Sequence, residues 1–396
     1  MLFYYLVFYL EFFASKYFLI RPFSTSFKIE RVERMSNSNL RVASKAKNDE
    51  FYTQFNDIEA ELTAYYEYNH EVFRDKIILC PCDDPEWSNF VRFFATNFKK
   101  YGIKALISTS YAASGTNNRL TSAEKNSPLY DPLKHKTHGK LFVMTGDMNG
   151  DGKIDSDDVS FQKYLNGDGD FRSEEVTKLR DEADIIVTNP PFSLFREFVS
   201  WLMKGEKLFA IIGSMNAISY KEIFPLIKDN KIWLGTTSPK EFIEPNGVAK
   251  KFGNINWFTN LDHGLRHEKM ILDTMVNNLR FNKSLKKKLA KYGIQNEYPK
   301  YDNYDAIEIP ITKCIPSDYK GKMGVPISFL DKYNPDQFEI IGGFNNSQLE
   351  DKPKFDYVPS TNTPAIISGK EKLWNGPTIN KKTLYYRIII KNKQPE

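Results

Sequence analysis

Between Ile77 and Asn260, short apolar runs alternate with amphipathic segments. Ahead of them, Asn48–Tyr68 carries apolar residues near helical spacing after Phe55 and predicts an entry helix. DKIILC, closed by Pro81, predicts a buried strand. Trp87–Tyr101 sets Phe90, Phe93, Phe94 and Phe98 at the spacing of one helix face, and Gly102 ends it. KALISTSY and GKLFVMTGD predict two more strands, separated by a polar, turn-rich stretch over residues 112–139. Then follow a short helix, EEVTKLRDEAD, a buried strand, ADIIVTN, and a helix, FREFVSWLMK. KLFAIIGSM is the next strand and SYKEIFPLIKDN the next helix. Such alternation predicts an α/β fold whose mostly parallel sheet is covered on both faces. Ligands in such sheets bind beyond the carboxyl ends of the strands, and Asn189 stands at one of these ends.

After Leu261 the pattern loosens. Lys283, Lys286, Lys287, Lys288 and Lys291 crowd one short helix-like piece, FNKSLKKKLAKYG. Turn signals dominate residues 293–396, which close on the strand TLYYRIIIK. The expected organisation is a leader over residues 1–34, a main α/β domain over 35–270, and a smaller, irregular C-terminal region over 271–396.

Composition narrows the classes. A hydrophobic fraction of 41% and a charged fraction of 27% exclude a wholly disordered chain. The net charge of +5, from 55 basic and 50 acidic side chains, excludes a strongly cationic nucleic-acid coat protein. Three cysteines, two of them flanking Pro81, make no disulfide framework and no zinc site, which points to a reducing, cytoplasmic setting. Residues 1–20 are apolar, but Glu11 and Lys16 interrupt the run, and neither a basic start nor a small-residue cleavage site is evident. Residues 1–34 are therefore read as the product of an upstream start, with Met35 the natural initiator. The competing reading is a membrane anchor.

The strongest chemical signal is Asn189-Pro190-Pro191-Phe192, directly after a buried strand. Two prolines lock φ and remove two backbone donors, which freezes the loop. An amide side chain, fixed carbonyls and an aromatic ring remain, a set that can accept hydrogen bonds from an exocyclic amine and stack a planar base. An ordinary rigid turn with a core Phe is the bland alternative.

This block resembles the amine-methylating motif of methyltransferases that use S-adenosylmethionine. GDGDFRSEE, EADIIVTNPPFSLFREFV, KKFGNINWFTNLDH and MGVPISFLDKYNPDQFEIIGG together resemble the EcoRI-type adenine-specific DNA methyltransferases, from about Asn48 to Lys391. The resemblance implies a Rossmann-like catalytic domain with a C-terminal target-recognition region. Its implied substrate is double-stranded DNA, with the adenine flipped out of the helix. It also implies a cognate restriction endonuclease that acts on the same site without a stable complex, and no membrane partner.

Asn189, Pro190, Pro191 and Phe192 then become catalytic, with Asn189 and the Pro190 carbonyl accepting from the adenine 6-amino group. Phe51, Tyr52 and Thr53 match an element lying over the methionine end of the cofactor, although alone they read as a capped helix entry. Asp83, Asp84 and Asn89 occupy the first strand–loop–helix turn. That turn has no glycine, which argues against a dinucleotide and leaves a capped helix start as the alternative. Asp170 and Phe171 match the motif that holds the cofactor's adenine. The second strand end, STSY, lacks the usual acidic ribose contact. Trp257 and Phe258 are candidates for the far face of the flipped base, or core aromatics. Lys283, Lys286, Lys287 and Lys288 are expected to contact phosphates, with a solvated helix face as the alternative.

Asp147-x-Asn149-x-Asp151-Gly152-x-Ile154-Asp155-x-x-Asp158 has calcium-loop spacing. Position twelve is Asp rather than Glu, and a strand precedes the loop, so the expectation is a solvated acidic loop and no metal. Two other functional classes stay open at this point. One is amine methylation of RNA or a protein glutamine; the other is a non-catalytic DNA- or calcium-binding module.

Overall fold

The computed structural model describes residues 52–81, 83–84, 88–112, 120, 122–243, 248–345 and 357–395. Phe51 and residues 1–34, with the leader and start-site expectations, lie outside them. Eight strands form the central sheet: β1 (Ile77–Pro81), β2 (Ala105–Ser110), β3 (Lys140–Met144), β4 (Ser160–Tyr164), β5 (Ile185–Thr188), β6 (Leu208–Ser214), β7 (Trp233–Leu234) and β8 (Ile255–Thr259). Their order is β4-β3-β2-β1-β5-β6-β8-β7. The four middle strands run parallel, with Ile78 opposite both Leu106 and Ile185, and Val187 opposite Ala210. Both flanks are antiparallel. The expected α/β sheet is present, and its parallel part is the centre. On the β2 side the reason is local. A parallel return needs a crossover long enough to cover a face, and between β2 and β3 the described residues hold only the short helix Ser122–Lys125 and one 3-10 turn.

Strand periodicity places neighbouring side chains on opposite faces. Leu79, Ile107, Ile186, Phe209, Ile211 and Phe258 join one buried cluster. Ile78, Cys80, Leu106, Ile185, Val187, Ala210, Ile212 and Trp257 join the other. Helices α1 (Phe55–Tyr68) and α2 (Asn89–Tyr101) cover the second face, burying Ile58, Leu62 and the four predicted phenylalanines of α2. Helix α2 starts at Ser88, whose hydroxyl accepts from the Phe90 and Val91 amides, and stops at Gly102 in the left-handed conformation. Helices α3 (Glu174–Glu182) and α4 (Phe195–Lys204) cover the first face through Val176, Phe195, Phe198, Val199 and Leu202.

The C-terminal strands extend that first cluster. Met323–Val325, Phe338–Phe344 and Arg387–Asn392 belong to a four-stranded sheet, and Met323, Val325, Phe338, Ile340, Ile388 and Ile390 pack with the residues under α4. A second four-stranded sheet holds the hairpin Thr363–Ile367 with Lys370–Trp374, whose outer strand is exposed over its first four residues. No helix among the described residues is long and apolar enough to cross a membrane.

Candidate active site

Strands β1, β2, β5 and β6 all end at one edge, at Pro81, Ser110, Thr188 and Ser214. Asn189 follows β5 directly, so its position is fixed by the most buried part of the sheet. Pro190 is buried, while Pro191 and Phe192 are partly exposed. Phe192 opens a short 3-10 turn into α4, and its ring meets Phe252 edge-on at 6.4 Å.

The loop after β1 is tied to this one. Thr188 Oγ lies 2.5 Å from Asp83 Oδ2 and 2.8 Å from the Pro81 carbonyl oxygen. Asp83 Oδ1 accepts from Ser88 Oγ at 2.8 Å, the Asp83 amide donates to the Thr109 carbonyl at 2.7 Å, and Ser108 Oγ donates to the Asp83 carbonyl. Both carboxyl oxygens of Asp83 are thus engaged inside the protein. Burial raises its pKa to about 7, against the lowering effect of the Thr188 and Ser88 hydrogen bonds. Asp83 and Asp84 are both partly buried by surface exposure, and only Asp83 has both carboxyl oxygens held by side-chain hydroxyls.

A three-stranded sheet closes one side. Tyr52–Thr53 pairs with Glu241–Ile243, Thr53 opposite Phe242, and Glu241–Ile243 pairs in turn with Ala249–Lys251. Asn89 Nδ2, on the first turn of α2, donates to the Thr53 carbonyl at 2.7 Å. Phe242 packs edge-on against Phe252, the same ring that meets Phe192. Thr53, Asn89 and Phe192, far apart in the chain, are therefore linked through four contacts.

On the other side, the Asp170 loop is pressed against the end of β2. The Gly139 amide donates to the Gly167 carbonyl at 2.9 Å and the Ala112 amide to the Asp168 carbonyl at 2.7 Å. A side chain on Gly139 would lie 2.6 Å from the Gly169 Cα and 2.7 Å from the Ser110 carbonyl oxygen, and Gly169 has φ +86°. Only glycine fits this crossing. Asp170 receives a bidentate pair from Arg172, at 2.9 and 2.6 Å, and that pair holds its pKa below the usual carboxylate range. Arg172 also reaches Glu197 at 2.9 Å. Phe171 is buried, edge-on to Phe198 and Trp201.

Two buried hydroxyls at this edge, Thr53 Oγ and Ser110 Oγ, have no hydrogen-bond partner among the described residues. A buried hydroxyl left unpaired is costly, and a polar group of a ligand at this edge would offset that cost.

A family model described as adenine-specific methyltransferase EcoRI matches residues 39–393. The chain belongs to this family. It is 40% identical to Type II methyltransferase M.EcoRI of Escherichia coli over 91% of this chain and 98% of that protein. It is 35% identical to Type II methyltransferase M.MgeORF184P of Mycoplasma genitalium, over 89% and 98% of the two chains. Against Type II methyltransferase M.MpnI of Mycoplasma pneumoniae the identity is 32%, over 89% and 97%. No solved structure gives a significant match. The chain is an adenine-specific DNA methyltransferase.

Other expected residues fall elsewhere in this methyltransferase. Trp257 and Phe258 are wholly buried, Trp257 edge-on to Phe90 and Phe258 edge-on to Phe195, so both are core aromatics with no face toward a base. Lys283, Lys286, Lys287 and Lys288 are exposed on a helix, Lys283–Leu289, that buries Leu285 and Leu289. Lys286 donates to the Arg280 carbonyl, and no hydrogen bond or ion pair joins the four to the sheet edge among the described residues. The acidic loop satisfies itself. Asp147 accepts from the Gly150 and Gly152 amides, and Asp158 from Met148, Asn149 and Asp155. No group of three or more acidic, His or Cys side chains among the described residues is placed to hold a metal.

Sequence reasoning missed Thr188, Ser88 and Ser110. A hydroxyl ending a buried strand was visible at 110 and 188, but its partners come from other strands.

Proposed function

We propose that this methyltransferase carries the methyl group of S-adenosylmethionine to the exocyclic 6-amino group of an adenine flipped out of double-stranded DNA at a specific site. The observation that carries the reading is the position of Asn189-Pro190-Pro191-Phe192 at the carboxyl end of β5, joined by Thr188 to the loop after β1. In α/β sheets that crevice is where ligands lie.

S-adenosylmethionine supplies an electrophilic methyl group on a cationic sulfur. Its chemistry suits the residues at the edge: the partly buried Asp84 for a cation, and the Thr53 and Ser110 hydroxyls for hydrogen bonds. Asp170 keeps its role toward the adenine of the cofactor only by sharing its carboxylate with Arg172. Phe171 supports the pocket from the core. Tyr52 and Thr53 would hold the methionine end of the cofactor, and Asn89 fixes that strand through the Thr53 carbonyl.

The target amine is a weak nucleophile, because its lone pair is delocalised into the purine ring. Asn189 Oδ1 and the Pro190 carbonyl would accept hydrogen bonds from its two N–H groups, which localises the lone pair on nitrogen for attack on the methyl group. The rigid Pro190-Pro191 segment holds these acceptors in place before substrate arrives, and such positioning supplies much of the acceleration. Phe192 stacks on the extruded base. No covalent enzyme intermediate is needed. Residues 35–270 do the chemistry and 271–396 read the site, with Lys283, Lys286, Lys287 and Lys288 on phosphates. A restriction endonuclease cutting the same sequence is the expected counterpart.

Incubation with labelled S-adenosylmethionine and unmethylated genomic DNA, then nucleoside analysis by mass, tests this. The expected product is N6-methyladenine in DNA. Label in RNA or protein alone would refute the DNA reading, and methylcytosine would refute the acceptor.

A further inference from the structure

Thr188 precedes Asn189 and has one hydroxyl proton for two close oxygens. The Pro81 carbonyl, at 2.8 Å, can only accept. Asp83 Oδ2 lies closer, at 2.5 Å. Were Asp83 ionised, one of these two contacts would hold no hydrogen. With the proton on Oδ2 both are satisfied: Asp83 donates to Thr188 Oγ, and Thr188 donates to the Pro81 carbonyl. Asp83 Oδ1 remains an acceptor for Ser88, whose own oxygen caps α2 by accepting from Phe90 and Val91. Bonds to and from the Asp83 backbone lock it to Ser108 and Thr109 of β2.

We propose that Asp83 is a neutral carboxylic acid and a positioning residue, whose hydrogen bond to Thr188 sets the point at which Asn189 leaves β5. This assigns Asp83 a role different from gripping the cofactor, and it rests on the reading of Asn189 given above. The surrounding groups agree. On its own strand Cys80 is buried and held as the thiol, and Asp84 is a like charge that favours the neutral form. Among the described residues, β5 and the start of α2 bring the Thr188 and Ser88 hydroxyls to Asp83, and β2 the Ser108 hydroxyl and the Thr109 carbonyl. With burial raising the Asp83 pKa to about 7, the bridge is whole in mild acid and is lost as pH rises through neutrality.

Steady-state kinetics of the full chain from about pH 6 to about pH 9 test the proposal. The variants are Asp83→Asn, Asp83→Ala, Thr188→Val, the double variant Asp83→Ala/Thr188→Val, and Asn189→Ala. Wild-type kcat is expected to fall above pH 7. In Asp83→Asn the amide donates to Thr188 and accepts from Ser88, so that decline disappears and its kcat at pH 9 exceeds that of wild type. Asp83→Ala and Thr188→Val are each expected to lower kcat by about tenfold while KM for S-adenosylmethionine stays within about threefold, and the double variant is expected to add little. If Asp83→Ala does not fold, Asp83→Asn and Thr188→Val decide. A large rise in KM for S-adenosylmethionine in Asp83→Asn, with the wild-type pH profile of kcat retained, would overturn the proposal. Full activity in Asn189→Ala would instead remove the reading of the loop on which it stands.

Discussion

Two loops of this protein look alike as lists of residues and differ in what their hydrogen bonds do. Asp147–Asp158 and Asp83–Asn89 are both acidic, both follow a strand, and both end in capped helical turns. In the first, carboxylates accept from amides within the loop, so the loop is a closed local structure. In the second, Asp83 bonds to Thr188, and Asn89 to Thr53, across long separations in the chain. A local pattern can describe the first completely. The second acquires meaning only when β1 and β5 lie side by side, and that is where the candidate site forms.

The largest expected effect belongs to the shared edge. On the proposed reading Asn189→Ala removes one of two acceptors for the target amine, and it is expected to lower the single-turnover rate by about a thousandfold or more. A second test uses linkage. Asp83 has a folded pKa of about 7, above the ordinary value of 3.8, so the native state keeps a proton that the unfolded chain releases between these values. Native stability therefore falls as pH rises through that window and levels off above it. Asp83→Asn escapes this loss, and its unfolding free energy from urea titration is expected to gain on that of wild type across the window by about 2–4 kcal/mol. A constant gap across the window would mean that Asp83 keeps an ordinary pKa and is ionised there in the folded protein too.

Smaller effects separate the two loops further. Phe192→Ala loses stacking on the extruded base and is expected to cost about tenfold in activity on duplex DNA, with less loss where the target adenine is mispaired and already easy to extrude. An equal loss on both substrates would make Phe192 a packing residue beside Phe252. For the acidic loop, Asp147→Asn replaces one of two acceptors of backbone amides with an NH2 group and is expected to destabilise by about 1 kcal/mol without changing kcat. Calcium or a chelator is expected to leave the melting temperature unmoved, and a calcium-dependent rise would refute a self-satisfied loop.

Much of this arrangement was legible in the chain itself. Buried runs such as IIVT and LFAIIGS have one reading inside an α/β alternation, and Pro-Pro after such a run locates a rigid loop at a strand end. The polar edge strand β4, SFQKY, was not legible, since it buries only Phe161 and so lacks a strong apolar signature. Aromatic roles were ambiguous for a different reason. Phe171, Trp257 and Phe192 are equally plausible as stacking platforms in sequence, yet burial leaves only Phe192 partly exposed. Asp83 is a cofactor-binding candidate in the sequence, but its engagement by Thr188 and Ser88 depends on tertiary pairing that no local pattern encodes.

The central claim is that the loop after β5 performs the amine chemistry while the cofactor is held by other residues. Asn189→Ala tests it most directly when methyl transfer to DNA and S-adenosylmethionine binding by calorimetry are measured on the same preparation. The account predicts binding close to that of wild type with methyl transfer abolished. Comparable transfer by the variant, or loss of transfer only in proportion to lost cofactor binding, would contradict it.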